Sequence, residues 1–158
     1  MATLTSTITE SVVLNGKERG SQIELEVGSV TQVMHRIVTC PTGQDTTIAT
    51  FASTADDSTG SAGSLDVEDV KYIRVTNLDA SNPVNLSLQI DSGEDDSAAD
   101  ESATILLAAG RTFVMGIPSD GIAVSDTNAT IVTTLHNLES ILIDPLSNSV
   151  AVEVFIAS

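Results

Sequence analysis

Few side chains in this sequence could carry chemistry. His35 and His136 are its two histidines and Cys40 is its single cysteine. A histidine titrates near neutrality and is the usual general base, whereas zinc or non-haem iron needs three or four clustered ligands. Two widely separated histidines could build such a site only across subunits, so each reads as a structural residue. His35 lies in a strand beside Arg36, and His136 follows an apolar strand at a turn into Asn137. Serine and aspartate are plentiful, but no Gly-x-Ser-x-Gly elbow occurs to present a nucleophile. A lone cysteine closes no disulfide within the chain and no thiolate cluster. Cys40 suits a small buried hydrophobe.

Carboxylates are the second group of candidates. Asp91, Glu94, Asp95, Asp96, Asp100 and Glu101 fall within a short span, and Asp56 and Asp57 form another pair. Hard oxygens at this density could hold calcium, with Asp91, Glu94, Asp95 and Asp96 as the ligands. The spacing lacks the alternate ligand positions and central glycine of an EF-hand, so a solvated acidic loop is the plainer reading. Gly110-Arg111-Thr112 resembles a phosphate-cradling turn, but the chain runs on as a strand, and no helix dipole is available. Arg74 and Arg111 sit among many carboxylates and suit bidentate pairing, either with a neighbouring subunit or within their own.

The composition bounds what these residues could serve. The 158 residues suit one domain, here 1–158. Six Lys plus Arg stand against 22 Asp plus Glu, a net charge of −16. That balance disfavours a phosphate backbone, whose affinity comes from basic residues that displace counterions. With no Trp, one Tyr and three Phe, the chain lacks the rings that stack on bases. A hydrophobic fraction of 41% argues against disorder of the whole chain. No apolar run approaches membrane-spanning length, and Met1 to Thr5 lacks the basic-then-apolar pattern of a secretory signal. The expectation is a cytoplasmically folded protein that contacts neither nucleic acid nor membrane and requires no cofactor.

The elements that must position these residues read as strands. Asn15-Gly16 is suited to a tight hairpin, because both residues tolerate positive φ. The return strand alternates Ile23, Leu25 and Val27 with Gln22, Glu24 and Glu26, and Gly28-Ser29 should end it. Val30 to Cys40 alternates less regularly, as a bulged or doubly covered strand would. Further strands are predicted at Thr46 to Phe51, Tyr72 to Asn77, Pro83 to Ile90, Thr104 to Ala108, Thr112 to Met115, Ile122 to Ser125, Ala129 to Leu135, Ile141 to Ile143 and Val150 to Ile156. Leu65 to Val70 reads either as one helical turn or as an irregular lead-in. Residues 52–64 and 91–102 read as exposed acidic loops, and 1–10 as an N-terminal arm. Eight to ten short strands without a long helix predict an all-β fold: one antiparallel β-sandwich, jelly-roll-like, with a closed up-and-down barrel as the other architecture.

Ile73-Arg74-Val75-Thr76-Asn77-Leu78-Asp79, with its "R-x-x-N-x-D" pattern, is followed later by Leu106-Leu107-Ala108-Ala109-Gly110-Arg111. Together they resemble small β-sandwich virion proteins of tailed bacteriophages. There, "R-x-x-N-x-D" turns one strand into the next and an "L-x-x-G-[ER]" segment opens a later one. This chain departs from that pattern in Ala108-Ala109, where a proline often stands, and in its acidity. The resemblance implies a non-enzymatic structural protein of the virion, foremost a capsid decoration or cement protein assembled in the host cytoplasm and placed on the capsid surface. It implies the major capsid protein or another virion protein as partner, and a homo-oligomer, with a trimer favoured. A head-tail joint or tail protein and a calcium-dependent adhesion or ligand-binding module are the alternatives. The segments expected to touch a neighbour are the N-terminal stretch, including Ala2, Thr3, Leu4 and Thr5, and the C-terminal strand through Val154 and Ile156. Arg74 and Arg111 are the candidates for bridges between subunits.

Overall fold

The computed structural model describes residues 1–52, 64–91, 101–125 and 131–158. Among these residues it contains thirteen strands, three of them only two residues long, and no helix. The elements are β1 (Ala2–Thr9), β2 (Val13–Leu14), β3 (Lys17–Glu18), β4 (Gln22–Val30), β5 (Val33–Cys40), β6 (Thr46–Ala52), β7 (Leu65–Asp66), β8 (Tyr72–Asn77), β9 (Val84–Asp91), β10 (Glu101–Leu107), β11 (Thr112–Met115), β12 (Asn137–Asp144) and β13 (Val150–Ala157).

From β5 onward the pairing is nested. β9 pairs with β10, β8 with β11, β6 with β12 and β5 with β13, all antiparallel. That describes one long hairpin, whose first half lies against its second half in reverse order. Rolling it up creates two more pairings, β9 with β12 and β8 with β13. The result is two facing sheets, ordered β10-β9-β12-β6-β7 and β11-β8-β13-β5. This is the wrapped order of a jelly roll, as the alternation and strand spacing predict.

Alternation explains why the sheets face each other. Val84, Leu86, Leu88 and Ile90 on β9 point into the sandwich, as do Val150, Val152, Val154 and Ile156 on β13, all at 3% exposure or less. Ile48, Ile73, Val75, Ile141 and Ile143 complete an aliphatic core. Cys40 is buried in it, where desolvation raises its thiol above the ordinary value, so it packs as the small hydrophobe expected from sequence. At Leu65 to Val70 the chain forms β7, parallel to β6, and then a turn that seats Val67 and Val70 in the core.

The motif pair in "R-x-x-N-x-D" and the later glycine segment meets in space. Asn77 is fully buried, and its amide nitrogen donates to the carbonyls of Asn82 (2.9 Å) and Leu107 (3.2 Å). Its side-chain oxygen accepts from the Asp79 N–H, and its own N–H donates to the Arg111 carbonyl, each at 2.9 Å. Asp79 in turn accepts from the backbone of Ser81 and Asn82, both at 2.7 Å, and these bonds hold its carboxyl below the usual carboxylate range. Gly110 takes a positive φ of 65° in the facing turn. The motif residues therefore close the end of the sandwich where β8, β9, β10 and β11 turn.

Several expectations need correction. Gly28-Ser29 does not end β4; Ser29 adopts a φ of 58° and the strand continues to Val30, with an irregular register opposite Ala2 to Leu4. The run from Val30 to Cys40 is divided at Thr31-Gln32. β5 is neither bulged against β13 nor doubly covered, but is an edge strand with one face open. Its broken alternation comes from Arg36, whose guanidinium reaches the Ile48 carbonyl of the opposite sheet. Ile122 to Ser125 supplies a single bridge to His136, residues 131–135 form no strand, and 126–130 lie outside the described residues. β13 is a central strand with β5 on one side and β8 on the other, so Val154 and Ile156 are core residues with no free edge to offer a neighbour.

Candidate functional site

Ahead of the jelly roll, residues 2–30 build a feature of a different kind. Among the described residues β1 and β4 pair only with each other, and β2 and β3 extend the same hairpin. Asn15 and Gly16 turn it with φ of 52° and 72°, the geometry that lets a two-residue loop follow the strand twist. The N-terminal arm expected at 1–10 is thus one strand of a ribbon. Between β1 and the tip the ladder is interrupted, and Glu18 fills the gap. Its carboxylate accepts from the N–H groups of Gly20 (2.7 Å), Val12 (3.0 Å) and Arg19 (3.1 Å). Those donors, Gly20 foremost, hold its carboxyl below the usual carboxylate range. Gly20 is required there because a Cβ would collide with the Glu10 carbonyl.

The ribbon is amphipathic across its width. Cross-strand pairs Leu4 with Val27, Ser6 with Leu25 and Ile8 with Ile23 share one face, while Thr5 with Glu26 and Thr7 with Glu24 share the other. Among the described residues only the root of the apolar face finds cover. Leu4 and Val27 pack on Val30, Tyr72, Phe155 and Ala157, on the outside of the β11-β8-β13-β5 sheet. The Ser6 hydroxyl lies 3.4 Å from the Tyr72 hydroxyl. The return into β5 is clamped where the N–H groups of Thr31 and Gln32 donate to the Ser158 carbonyl. Beyond the root, Ile8 is 52% exposed, Ile23 59% and Leu25 47%, and Val12, Val13 and Leu14 at the tip are more than half exposed. At about 3.3 Å per residue, Leu4 to Leu14 spans roughly 33 Å.

Beside the root lies the one cluster of charged and aromatic side chains that the fold assembles among the described residues. Phe155 contacts His35 and Tyr72, with ring centroids 5.8 and 6.1 Å apart, and the Arg74 guanidinium stands 5.8 Å from its centroid. Glu153 bridges His35 and Arg74, each at 2.8 Å. The His35 bond foremost, with Arg74 contributing, holds the Glu153 carboxyl below the usual range against the opposing effect of burial. Arg74 therefore pairs inside its own chain, one of the two kinds of partner expected for it. Sequence reading missed Glu153, because its partners lie 118 and 79 positions away. Arg111 is exposed at the Gly110 turn. His136 is tied through its backbone to Ile122.

The opposite sheet carries a shallow polar groove of about 200 Å³ on its outer face, between Asp45, Asn85, Thr104, Leu142 and Asp144. Among the described residues no group of three or more His, Cys, Asp and Glu is placed to hold a metal ion. Of the calcium candidates, Asp91 ends β9 opposite Asn137, and Glu94, Asp95 and Asp96 lie outside the described residues, as does most of both acidic loops.

No family model and no curated protein matches this chain. Among solved structures, a chain described with the Bacillus endospore appendages that form a family of disulfide-linked pili is similar over 82% of this chain and 88% of its own. It does so at 13% identity and a TM-score of 0.39, too low to bear on fold or role.

Proposed function

We propose that this chain is a non-catalytic structural subunit of a virion, foremost a decoration or cement protein seated on the capsid shell of a tailed bacteriophage. One observation carries the reading. The apolar face of the ribbon is covered at its root by the chain's own sheet and then runs on uncovered through Leu25, Ile8 and Ile23. A contiguous aliphatic surface of this kind is costly to leave in water, and marks a site that is buried on assembly. A two-stranded ribbon is also marginal alone, so docking would stabilise it. The motif pair shared with small virion proteins supports the finer assignment, with the major capsid protein or another virion protein as partner and a homo-oligomer as the unit.

Co-sedimentation with purified capsid shells of the parent virion tests the reading. The chain should pellet with shells, and a variant combining Ile8→Thr, Ile23→Thr and Leu25→Thr should stay in the supernatant with its thermal midpoint retained. Equal pelleting of both proteins, or pelleting of neither, would sink it.

A further inference from the structure

The ribbon tip differs from the rest of the chain in charge as well as in exposure. Four of the six basic residues belong to the sandwich, where Arg36, Lys71 and Arg74 are engaged: Arg36 by the Ile48 carbonyl, Lys71 by the Ser29 carbonyl and Arg74 by Glu153. The other two, Lys17 and Arg19, stand exposed at the tip beside Val12, Val13 and Leu14. Residues 31–158 hold eighteen acidic residues against four basic ones. At the tip, Glu18 stands between Lys17 and Arg19 with its carboxylate turned onto the N–H groups of Val12, Arg19 and Gly20, so the tip carries two positive charges against one negative. A weakly basic, aliphatic tip on an acidic body is complementary to another copy of that body. The groove on the β10-β9-β12-β6-β7 sheet has the matching chemistry. Asp45 and Asp144 supply carboxylates, Leu142 lines the groove, and Leu106 on the same outer face is 61% exposed. The ribbon is rooted on the outside of one sheet and the groove lies on the outside of the other.

From this placement we infer that the ribbon tip docks into the Asp45–Asp144 groove of a second copy of the chain. Because the ribbon root and the groove lie on opposite outer faces of the sandwich, the contact is head-to-tail and generates a ring or an open array. This rests on the reading of the chain as an assembly subunit and assigns the tip to a neighbouring copy, leaving Ile8, Ile23 and Leu25 for the shell.

The test is light scattering coupled to size-exclusion chromatography on the full chain and on charge-swapped variants. The wild-type chain should run at three or more times its 16.4 kDa mass at low salt and lose mass in 1 M salt, where the Debye length shrinks to about 3 Å. A Lys17→Glu/Arg19→Glu variant should be monomeric, and so should Asp45→Lys/Asp144→Lys. Mixing the two should restore the oligomer, because each then offers the other a complementary tip and groove. Asp144 is half-buried and accepts from Asn85, so Asp45→Lys alone, at an exposed position, serves as the groove variant that leaves the fold intact. A monomeric wild-type chain, an oligomer indifferent to the tip charges, or no recovery on mixing would overturn the inference. Loss of shell binding in the Ile8/Ile23/Leu25 variant alongside an intact charge-dependent oligomer separates the two readings. Shell binding with a monomeric wild type refutes only the head-to-tail contact.

Discussion

The sandwich and the ribbon use one sequence pattern to opposite ends. On β9 the alternating Val84, Leu86, Leu88 and Ile90 are sealed between two sheets; on β4 the alternating Ile23, Leu25 and Val27 meet cover only at Val27. Period-two alternation fixes which residues share a face. It does not say whether the chain has a second sheet to lay over that face. The jelly roll supplies one by folding its long hairpin back on itself, whereas the ribbon departs from the body after its root and leaves its aliphatic face to something else.

A matched pair of truncations tests that difference most directly. Leu86→Ala removes a fully buried side chain and should lower unfolding stability by about 2–5 kcal/mol. Leu25→Ala, at an equivalent point of the pattern but 47% exposed, should cost less than about 1 kcal/mol in the isolated chain. Denaturant titration of the two variants would read the contrast, and similar losses would mean that the ribbon's apolar face is covered in solution.

Asn77→Ala should come next. It strips the Asn82 and Leu107 carbonyls and the Asp79 N–H of their partner in a buried site, for about 2–4 kcal/mol. The loss belongs to the sandwich alone, so assembly through the ribbon should survive wherever the variant stays folded. A variant as stable as wild type would show that the end-closing knot holds without Asn77.

Gly20→Ala reverses the contrast by striking only the ribbon. A Cβ at this position meets the Glu10 carbonyl, so the strands must part where Glu18 now ties them. Hydrogen exchange should quicken across residues 2–30 while the protection of β8, β9, β12 and β13 is unchanged. Uniformly faster exchange would mean that the ribbon is integral to the cooperative unit.

Much of this was legible in the sequence, for reasons that the same contrast exposes. The Asn15-Gly16 turn, β8, β11 and the aliphatic face of β9 follow from local chemistry, and the structure bears each out. What was hidden depends on distant partners. Nothing near Val154 reveals that β5 and β8 flank it, so a terminal strand read as free is central. Nothing near Arg74 reveals Glu153. The motif at Asn77 was visible as a pattern, but its work, accepting and donating between two turns, appears only when Leu107 and Arg111 arrive beside it. The ribbon's uncovered face had no signal in its own residues, since exposure is a property of what the rest of the chain leaves undone.

The smallest expected effect lies where the two regions meet. Glu153 ties His35 and Arg74 beside the ribbon root, and its carboxyl titrates below its ordinary value in the folded chain. A group whose folded value is depressed adds stability above the unfolded value, 4.5 for this residue, and loses that contribution as pH falls through the folded value. Glu153→Gln should therefore cost about 0.2–1 kcal/mol at neutral pH, the range of partly exposed ion pairs. The deficit should shrink as acid protonates Glu153 in the wild-type chain. Thermal melts of both proteins at pH 7 and pH 3 would measure it, and a deficit that grows toward pH 3 would contradict the sign. If ribbon docking leans on the orientation of Phe155, the substitution should also weaken protection at Leu4 and Val27, whereas a purely local ion pair would leave the root closed.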